Sequence, residues 1–440
     1  MVTTRTGRRK GAWGRLDGLK VAFDDGRAVA NAGLLLSATL AERLGIEALA
    51  DRMIDLGRRP GAFRPGRKVM SLVHSMVVGG DAIDDADVLR TGATARVLGH
   101  RVMAPSTLGT FLRSFSFGNV RQLDRLAEAA LTGAWSAGAG PGAGPMTIDL
   151  DSTICEVHGH HKGGASYGYT RVLGYHPLLA TRADTGELLH ARLRTGKAHS
   201  ARGAVRFCQE LAPRVRRAGA RGPLTVRADS GFWSAKIIEA LRRHRIRFSI
   251  TVRQTGPVRR TIAAIPEQAW VPIDYPAPGI AEVAQTRHEG ERLIVRRVRH
   301  EAEQTELVLD WRHHAFVTDR DGDALALDVD HRAHAVVELA IRDLKEGAGL
   351  AHCPSGRFFA NAAWLVLSCL AHNLLRWVAA IGLRIPGAIV AKTVRRRYLT
   401  LPGRITRSGR RQRLHLPSDW PWAEGFLAAL GRLRTLAAPT

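Results

Sequence analysis

An apolar run that ends in acid, Met146-Thr-Ile-Asp-Leu-Asp-Ser-Thr153, constrains this chain more than any other stretch. Met146, Ile148 and Leu150 alternate with small or polar residues, which is the period of a strand with a buried face. Burying a carboxylate beside such a strand is costly unless a cation compensates it. The same grammar returns at Leu224-Thr-Val-Arg-Ala-Asp229-Ser-Gly231. Either aspartate alone reads as a cap or turn former. Two strand-end aspartates in one chain point to a divalent-metal site.

The third member is predicted on a helix over Asp330 to Gly347. At 100° per residue, His331, His334, Glu338, Arg342 and Lys345 fall on one side; Val336, Val337, Ala340, Ile341 and Leu344 fall on the other. Taken alone this is an ordinary surface helix with a solvated charged face. Placed after two strand-end aspartates, Glu338 completes the set Asp151, Asp229 and Glu338 on strand, strand and helix. That set suits two Mg²⁺ ions, with Mn²⁺ as a substitute, held roughly 3.5 to 4 Å apart for phosphoryl transfer.

Further motifs are Gly168-Tyr-Thr-Arg-Val-Leu-Gly-Tyr-His-Pro-Leu-Leu179, Arg227-Ala-Asp-Ser-Gly-Phe-Trp233, Lys345 seven residues after Glu338, Asn361-Ala-Ala-Trp-Leu365 and Ala371-His-Asn-Leu374. Through these and Asp151-Ser-Thr153, most of the chain resembles the DDE transposases of bacterial insertion sequences, specifically insertion sequence family 1380, related to family 4. The resemblance implies an α/β fold: an RNase H-like catalytic core interrupted by a β-rich insertion and preceded by a helical DNA-binding domain. It implies Mg²⁺-dependent cleavage and strand transfer at the terminal inverted repeats of the element, with double-stranded repeat and target DNA as partners and a homodimer in the DNA complex. Carried over, Asp151, Asp229 and Glu338 are the catalytic, metal-binding residues, and Lys345 contacts the DNA backbone. Asp149 shares the strand face of Asp151, but the family's acid is the one directly before the Ser-Thr pair.

One departure stands out. The related signature has Tyr and Arg seven and four residues before the Glu, and this chain has His331 and His334. With Arg342 they are the helix's candidates for DNA contact. A histidine, mostly neutral near pH 7 and with one donor per nitrogen, does not reproduce a bidentate arginine clamp on phosphate.

Composition agrees with a polyanionic partner: Lys+Arg 65 against Asp+Glu 40 gives a formal net charge of +25, a balance that favours nucleic acid by counterion release. An Arg-rich proteome gives the same balance without a nucleic-acid role. Cys155, Cys208, Cys353 and Cys369 are scattered, three of them in apolar runs, and read as reduced thiols of a cytoplasmic protein. No signal-peptide pattern opens the sequence. The apolar stretch from Phe358 to Val378 is interrupted by Asn361, His372, Asn373 and Arg376, so a core helix is expected and no membrane partner.

The expected organisation begins with a helical DNA-binding region over 1–132. Helices are predicted over Ala30–Leu44, Arg67–Val78, Ala86–Leu98 and Ser106–Phe115. The stretch 86–116 fits a helix-turn-helix, with Ser106-Thr107 as cap and Arg101, Thr107, Thr110 and Arg113 toward DNA; it fits a plain helical bundle equally well. A flexible Gly/Pro linker is expected over 133–145. The first core segment over 146–252 reads as strands, helix, strand, helix, strand. A β-rich insertion over 253–325 contains Glu291–Val298 and Thr305–Asp310, and 326–380 carries the Glu338 helix. The basic region 381–440 includes Arg395, Arg396, Arg397 and interleaved Tyr398, and reads as a strand-turn-strand that tracks phosphates.

Two other classes compete. Cys155, His158, His160 and His161 are close enough in sequence for a zinc site, but no second Cys/His pair stands at finger spacing. A DNA-binding regulator, or a catalytically impaired relative of a transposase, needs only the helical region and the charge. It leaves the three acids unexplained.

Overall fold

The computed structural model describes residues 18–159, 161–168, 170–275, 279–300 and 311–437. A two-residue strand β1 (Ala28–Val29) precedes six helices: α1 (Leu34–Arg43), α2 (Ile46–Met53), α3 (Pro65–Val77), α4 (Thr94–Leu98), α5 (Pro105–Arg113) and α6 (Phe117–Ala134). Next come β2 (Met146–Ser152), the short β3 (Cys155–Glu156), β4 (Ser166–Tyr167) and β5 (Leu173–Tyr175), and the hairpin β6 (Leu178–Arg182) and β7 (Leu188–Arg192). α7 (Ala204–Ala218), β8 (Leu224–Ala228), α8 (Ala235–Arg243) and β9 (Ile246–Thr251) follow. α9 (Gly256–Ala263), β10 (Val271–Pro272), β11 (Gly279–His288), β12 (Glu291–His300) and β13 (Arg312–Thr318) lead into α10 (Ala324–Arg332) and α11 (Val337–Gly347). The chain continues through α12 (Phe358–Trp377), α13 (Ala391–Val394), the hairpin β14 (Gly403–Ser408) and β15 (Arg411–His415), and α14 (Ala423–Arg434).

The protein is mixed α/β. One nine-stranded mixed sheet has the order β10-β11-β12-β13-β9-β8-β2-β6-β7. β2, β8 and β9 run parallel, and the sheet is antiparallel on either side of them. β2 and β8 lie inside the sheet with Ile148, Leu150, Val226 and Ala228 buried, which is why both read as apolar runs. The strands of the 253–325 segment do not stand apart. β13 pairs with β9, Phe316 opposite Thr251, so this segment extends the central sheet. The strand predicted at Glu291–Val298 is β12; the one predicted at Thr305–Asp310 lies outside the described residues.

α12 forms the centre of the core. Its apolar stretch is 89% buried within the protein, as a core helix requires. Its polar side chains close hydrogen bonds that neighbouring backbone leaves open. Asn373 accepts from the Leu188 N–H at 2.8 Å and donates to the Leu188 carbonyl at 2.8 Å, covering the edge strand β7 where a further strand would pair. Asn361 holds Ser355 in the same two-bond manner, at 2.9 and 2.7 Å. α3, α5 and α6 pack directly on α12, and one continuous buried apolar cluster joins Leu40, Val73 and Leu126 to Ile148, Leu367 and Leu433.

The amino-terminal region departs from the sequence reading at several points, α2 among them. α6 was not expected; it starts with a capping box in which Ser116 donates its N–H to Asn119 Oδ1 at 3.1 Å. The Gly/Pro segment does not begin as a flexible linker, because α6 continues through a π-helical turn over Trp135–Ala139. There the buried Trp135 donates to Glu187 Oε1 at 3.1 Å, an oxygen that also accepts from Trp377 at 2.6 Å. Finally, the helix predicted over 86–98 is a 3-10 turn at Asp84–Arg90 followed by the five-residue α4. α5 begins on Pro105 after Ala104 instead of being capped by Ser106 or Thr107, since proline is preorganised for the first helical position.

Because α12 covers the inner faces of α3, α5 and α6, a fragment ending at residue 134 leaves those faces bare. Such a fragment is expected to show no cooperative thermal transition by circular dichroism. A sharp two-state melt of the isolated fragment would contradict this.

Candidate active site

The parallel register of β2 and β8 sets the site. It places Asp149 opposite Arg227 and Leu150 opposite Ala228, so Asp151 and Asp229 follow side by side at the carboxyl ends of the two strands. Side chains two residues apart share a face. Asp149 and Asp151 therefore share a face of β2, and Asp229 stands two residues after Arg227, directly past the end of β8. The inner rung is a buried ion pair: Arg227 Nε and Nη2 donate to the Asp149 carboxylate at 2.8 and 3.0 Å. The outer rung is two carboxylates.

The helix expected over Asp330–Gly347 is two helices, α10 and α11, joined by a 3-10 turn at Ala333–Val336. His334 on this turn lies 2.9 Å from Asp149 Oδ1 through its Nδ1. An ionised carboxylate only accepts, so Nδ1 carries the proton and donates. Four residues on, Glu338 lies in the first turn of α11 and on the same side. Burial pushes the Asp151 carboxyl up to about 6, and the charges of Asp229 and Glu338 add to the rise; the Ser152 N–H, 2.6 Å from Asp151 Oδ1, and His334 act the other way. Asp229 Oδ1 accepts from the Gly231 N–H at 2.9 Å and caps the short turn Ser230–Phe232.

The donor set suits a hard divalent cation in charge and chemistry. Burial, with a smaller contribution from the charges of Asp229 and Glu338, makes Asp151 hold a proton more readily than an ordinary aspartate, and a bound cation offsets both effects. Among the described residues, no three His, Cys, Asp or Glu side chains close into a metal-ligand cluster. The charges of Asp229 and Glu338 reach Asp151, but the three acids do not converge to ligand distance.

A family model for the transposase DDE domain, group 1, matches residues 14–438. The chain belongs to this family. Among solved structures it is similar to a piggyBac transposase synaptic complex with hairpin DNA determined by cryo-EM, with a TM-score of 0.45 and 14% identity over 84% of this chain and 79% of that one. No curated protein matches the chain.

The other predicted residues are placed unevenly. His331 does not face a phosphate path: its ring stacks on Phe316 at 4.0 Å, and its two nitrogens bond Ser249 Oγ at 2.7 Å and Thr251 Oγ1 at 2.9 Å. His334 is engaged with Asp149, and Lys345 Nζ donates to the Ile154 carbonyl at 2.8 Å, tying α11 to the loop after β2. Arg395 is also internal. It donates to the carbonyls of Val77, Met76 and Gly347, so the structure removes it from the set expected to contact DNA. Arg342, Arg101, Arg113, Arg396 and Arg397 are exposed. The basic stretch after them forms the hairpin β14–β15, paired to β1, although 391–399 is helical where a strand was expected.

No zinc site forms among the described residues. Cys155 is buried with its thiol against that of Cys353, His158 and His161 are exposed, and His160 lies outside the described residues. The sequence reading passed over Arg227 and the role of Asp149. The available signal was their shared offset, since each stands two residues before a strand-end aspartate.

Burial, reinforced by the neighbouring His334, Arg227, Arg296 and Arg320, holds the His331 imidazole down to about 3, and burial and His100 do the same for His74. Both rings are neutral in the folded protein while the unfolded chain protonates them near pH 6.5. Unfolding between about pH 6.5 and 3 therefore takes up protons, and stability falls as pH falls, by up to about 1.4 kcal/mol per pH unit for each ring. Urea unfolding at pH 7.5, 6 and 5 should show this loss, and His331→Gln should flatten it. A slope unchanged by that substitution would show that His331 is not the group responsible.

Proposed function

We propose that this protein is an insertion-sequence transposase of the family 1380 type, which binds the terminal inverted repeats of its element and cuts and rejoins DNA. The observation that carries the reading is that the charges of Asp229, just past the end of β8, and Glu338, in the first turn of α11, act on Asp151 near the end of β2. The strand order supports an RNase H-like core: antiparallel β2, β6 and β7, then α7, the parallel β8, α8 and the parallel β9. On this reading β10 to β13 are the β-rich insertion.

Asp151, Asp229 and Glu338 would hold the Mg²⁺ ions, with Mn²⁺ as a substitute. Divalent cations bound there supply Lewis-acid stabilisation of the attacking and leaving oxygens of a phosphodiester. The chain's own contribution is to fix three carboxylates on rigid elements and to deliver the duplex to them. Exposed cations at Arg342, Arg396, Arg397, Arg404, Arg407, Arg410, Arg411 and Arg413 suit contact with the sugar-phosphate backbone. Arg101 and Arg113 beside α5 are further candidates for contact with the element's ends. The protein would act in the cytoplasm, as a homodimer on DNA.

Asp151→Asn, Asp229→Asn and Glu338→Gln are each expected to lower the end-cleavage rate by about 10³-fold or more while end binding stays near wild type, and a double variant should look little worse than a single one because the three act as a unit. Purified Asp229→Asn that cleaves in Mg²⁺ near the wild-type rate would overturn the reading. End binding should also weaken linearly in a log-log plot against salt, by about 0.9 per neutralised phosphate. Arg396→Ala with Arg397→Ala should make that slope shallower; an unchanged slope would remove this surface from the DNA path.

A further inference from the structure

Beneath the three acids lies a charged cluster that the proposed reaction does not use. Arg227 from β8 binds both oxygens of Asp149 on β2. Its remaining Nη1 donates to the main-chain carbonyl of Asp330 in α10, with the Asp330 carboxylate at 3.4 Å. Arg320 holds the other Asp330 oxygen, and His334 donates to Asp149. One planar guanidinium thus joins two strands of the sheet to the end of α10, and one carboxylate collects both Arg227 and the turn that starts α11.

The consequence is geometric. Glu338 is carried on a helix whose approach is interrupted by a 3-10 turn, so nothing in the backbone ladder of the sheet fixes where α11 stands. The contacts from Asp149 and Arg227 to residues 330 and 334 fix the approach to α11 at the end that bears Glu338, as the Lys345 contact with Ile154 ties its far end. Asp149 itself is buried and has both oxygens engaged, which keeps it from acting as a fourth carboxylate beside Asp151, Asp229 and Glu338.

We propose that Asp149, Arg227 and His334 form the positioning cluster of the candidate active site: they set the location of Glu338 relative to Asp151 and Asp229, and with it the site's affinity for a divalent cation, without touching substrate. The proposal rests on the reading of the three acids as a cation site.

Full-length protein provides the test, with Mn²⁺ affinity measured by electron paramagnetic resonance of free Mn²⁺, end binding by fluorescence anisotropy, end cleavage, and thermal unfolding. His334→Ala is expected to weaken Mn²⁺ binding by about 10- to 100-fold, the range for residues that orient metal ligands, with a matching loss of cleavage and unchanged end binding. His334→Asn keeps an N–H donor for Asp149 and should recover most of the Mn²⁺ affinity. Arg227→Lys keeps the charge, but its ammonium lacks the planar fork that spans Asp149 and Asp330, so it should behave like His334→Ala; if it fails to fold, the two His334 variants decide.

Wild-type Mn²⁺ affinity and cleavage in His334→Ala would overturn the proposal, as would equal losses in the Ala and Asn variants. Asp151→Asn measured alongside separates the two levels of inference. If it loses Mn²⁺ binding while His334→Ala does not, only the positioning cluster fails. If it retains Mn²⁺ binding, the cation-site reading fails and the cluster with it.

Discussion

The bidentate contact between Arg227 and Asp149 is the interaction on which the arrangement of the acidic site depends. It occupies the inner rung of a parallel strand pair, at 2.8 and 3.0 Å, and the outer rung inherits its register. A slip of one residue in such a pair turns every side chain to the opposite face, which would take Asp151 or Asp229 off the common side. A buried ion pair is weak evidence of net stability, because desolvation offsets much of the attraction; removing one partner alone typically costs about 3 to 5 kcal/mol. Two apolar side chains of similar volume would fill the same rung. They would not reach residues 330 and 334, and the reach is what distinguishes this pair from packing.

A second constraint acts on the whole chain. α12 is covered on one side by helices from residues 34–134 and lies along the edge strand β7 on another. The Gly/Pro-rich stretch near residue 140 therefore joins parts of one core and does not separate two. Its first residues continue α6 because Trp135 and Trp377 share the buried carboxylate of Glu187, and the same carboxylate is paired with Arg182 at 3.1 Å. On this architecture the amino-terminal helices are mechanically continuous with the sheet that carries the acids.

The elements that carry the candidate acids were legible in the sequence because their signals are local. Alternation marked β2 and β8, and acids at their ends stood out against the apolar background. Amphipathic periodicity found the side of α11 that bears Glu338, yet periodicity assigns faces without saying what covers them. His331, His334 and Glu338 share a side by that rule. In the structure Phe316, Ser249 and Thr251 enclose the first, Asp149 engages the second, and the third is exposed. The break between α10 and α11 carries no glycine or proline to announce it. α6 escaped notice for a related reason: its capping box uses Asn119 where the common pattern has Glu or Gln. The merging of 253–325 into the main sheet was beyond reach, since pairing partners are set by tertiary contact.

The distribution of arginine limits what the net charge of +25 says about DNA. Several guanidinium groups bind main-chain carbonyls inside the protein: Arg194 donates to His176, His199, Ser200 and Arg202, and Arg395 to Val77, Met76 and Gly347. Burial lowers both to about 10, which leaves them charged at neutral pH. They count in full toward the formal charge and toward the long-range field, but they release no counterions on association because they never meet a phosphate. Steering of the protein toward a polyanion therefore draws on the whole excess. Salt-dependent affinity draws only on cations exposed enough to meet a phosphate.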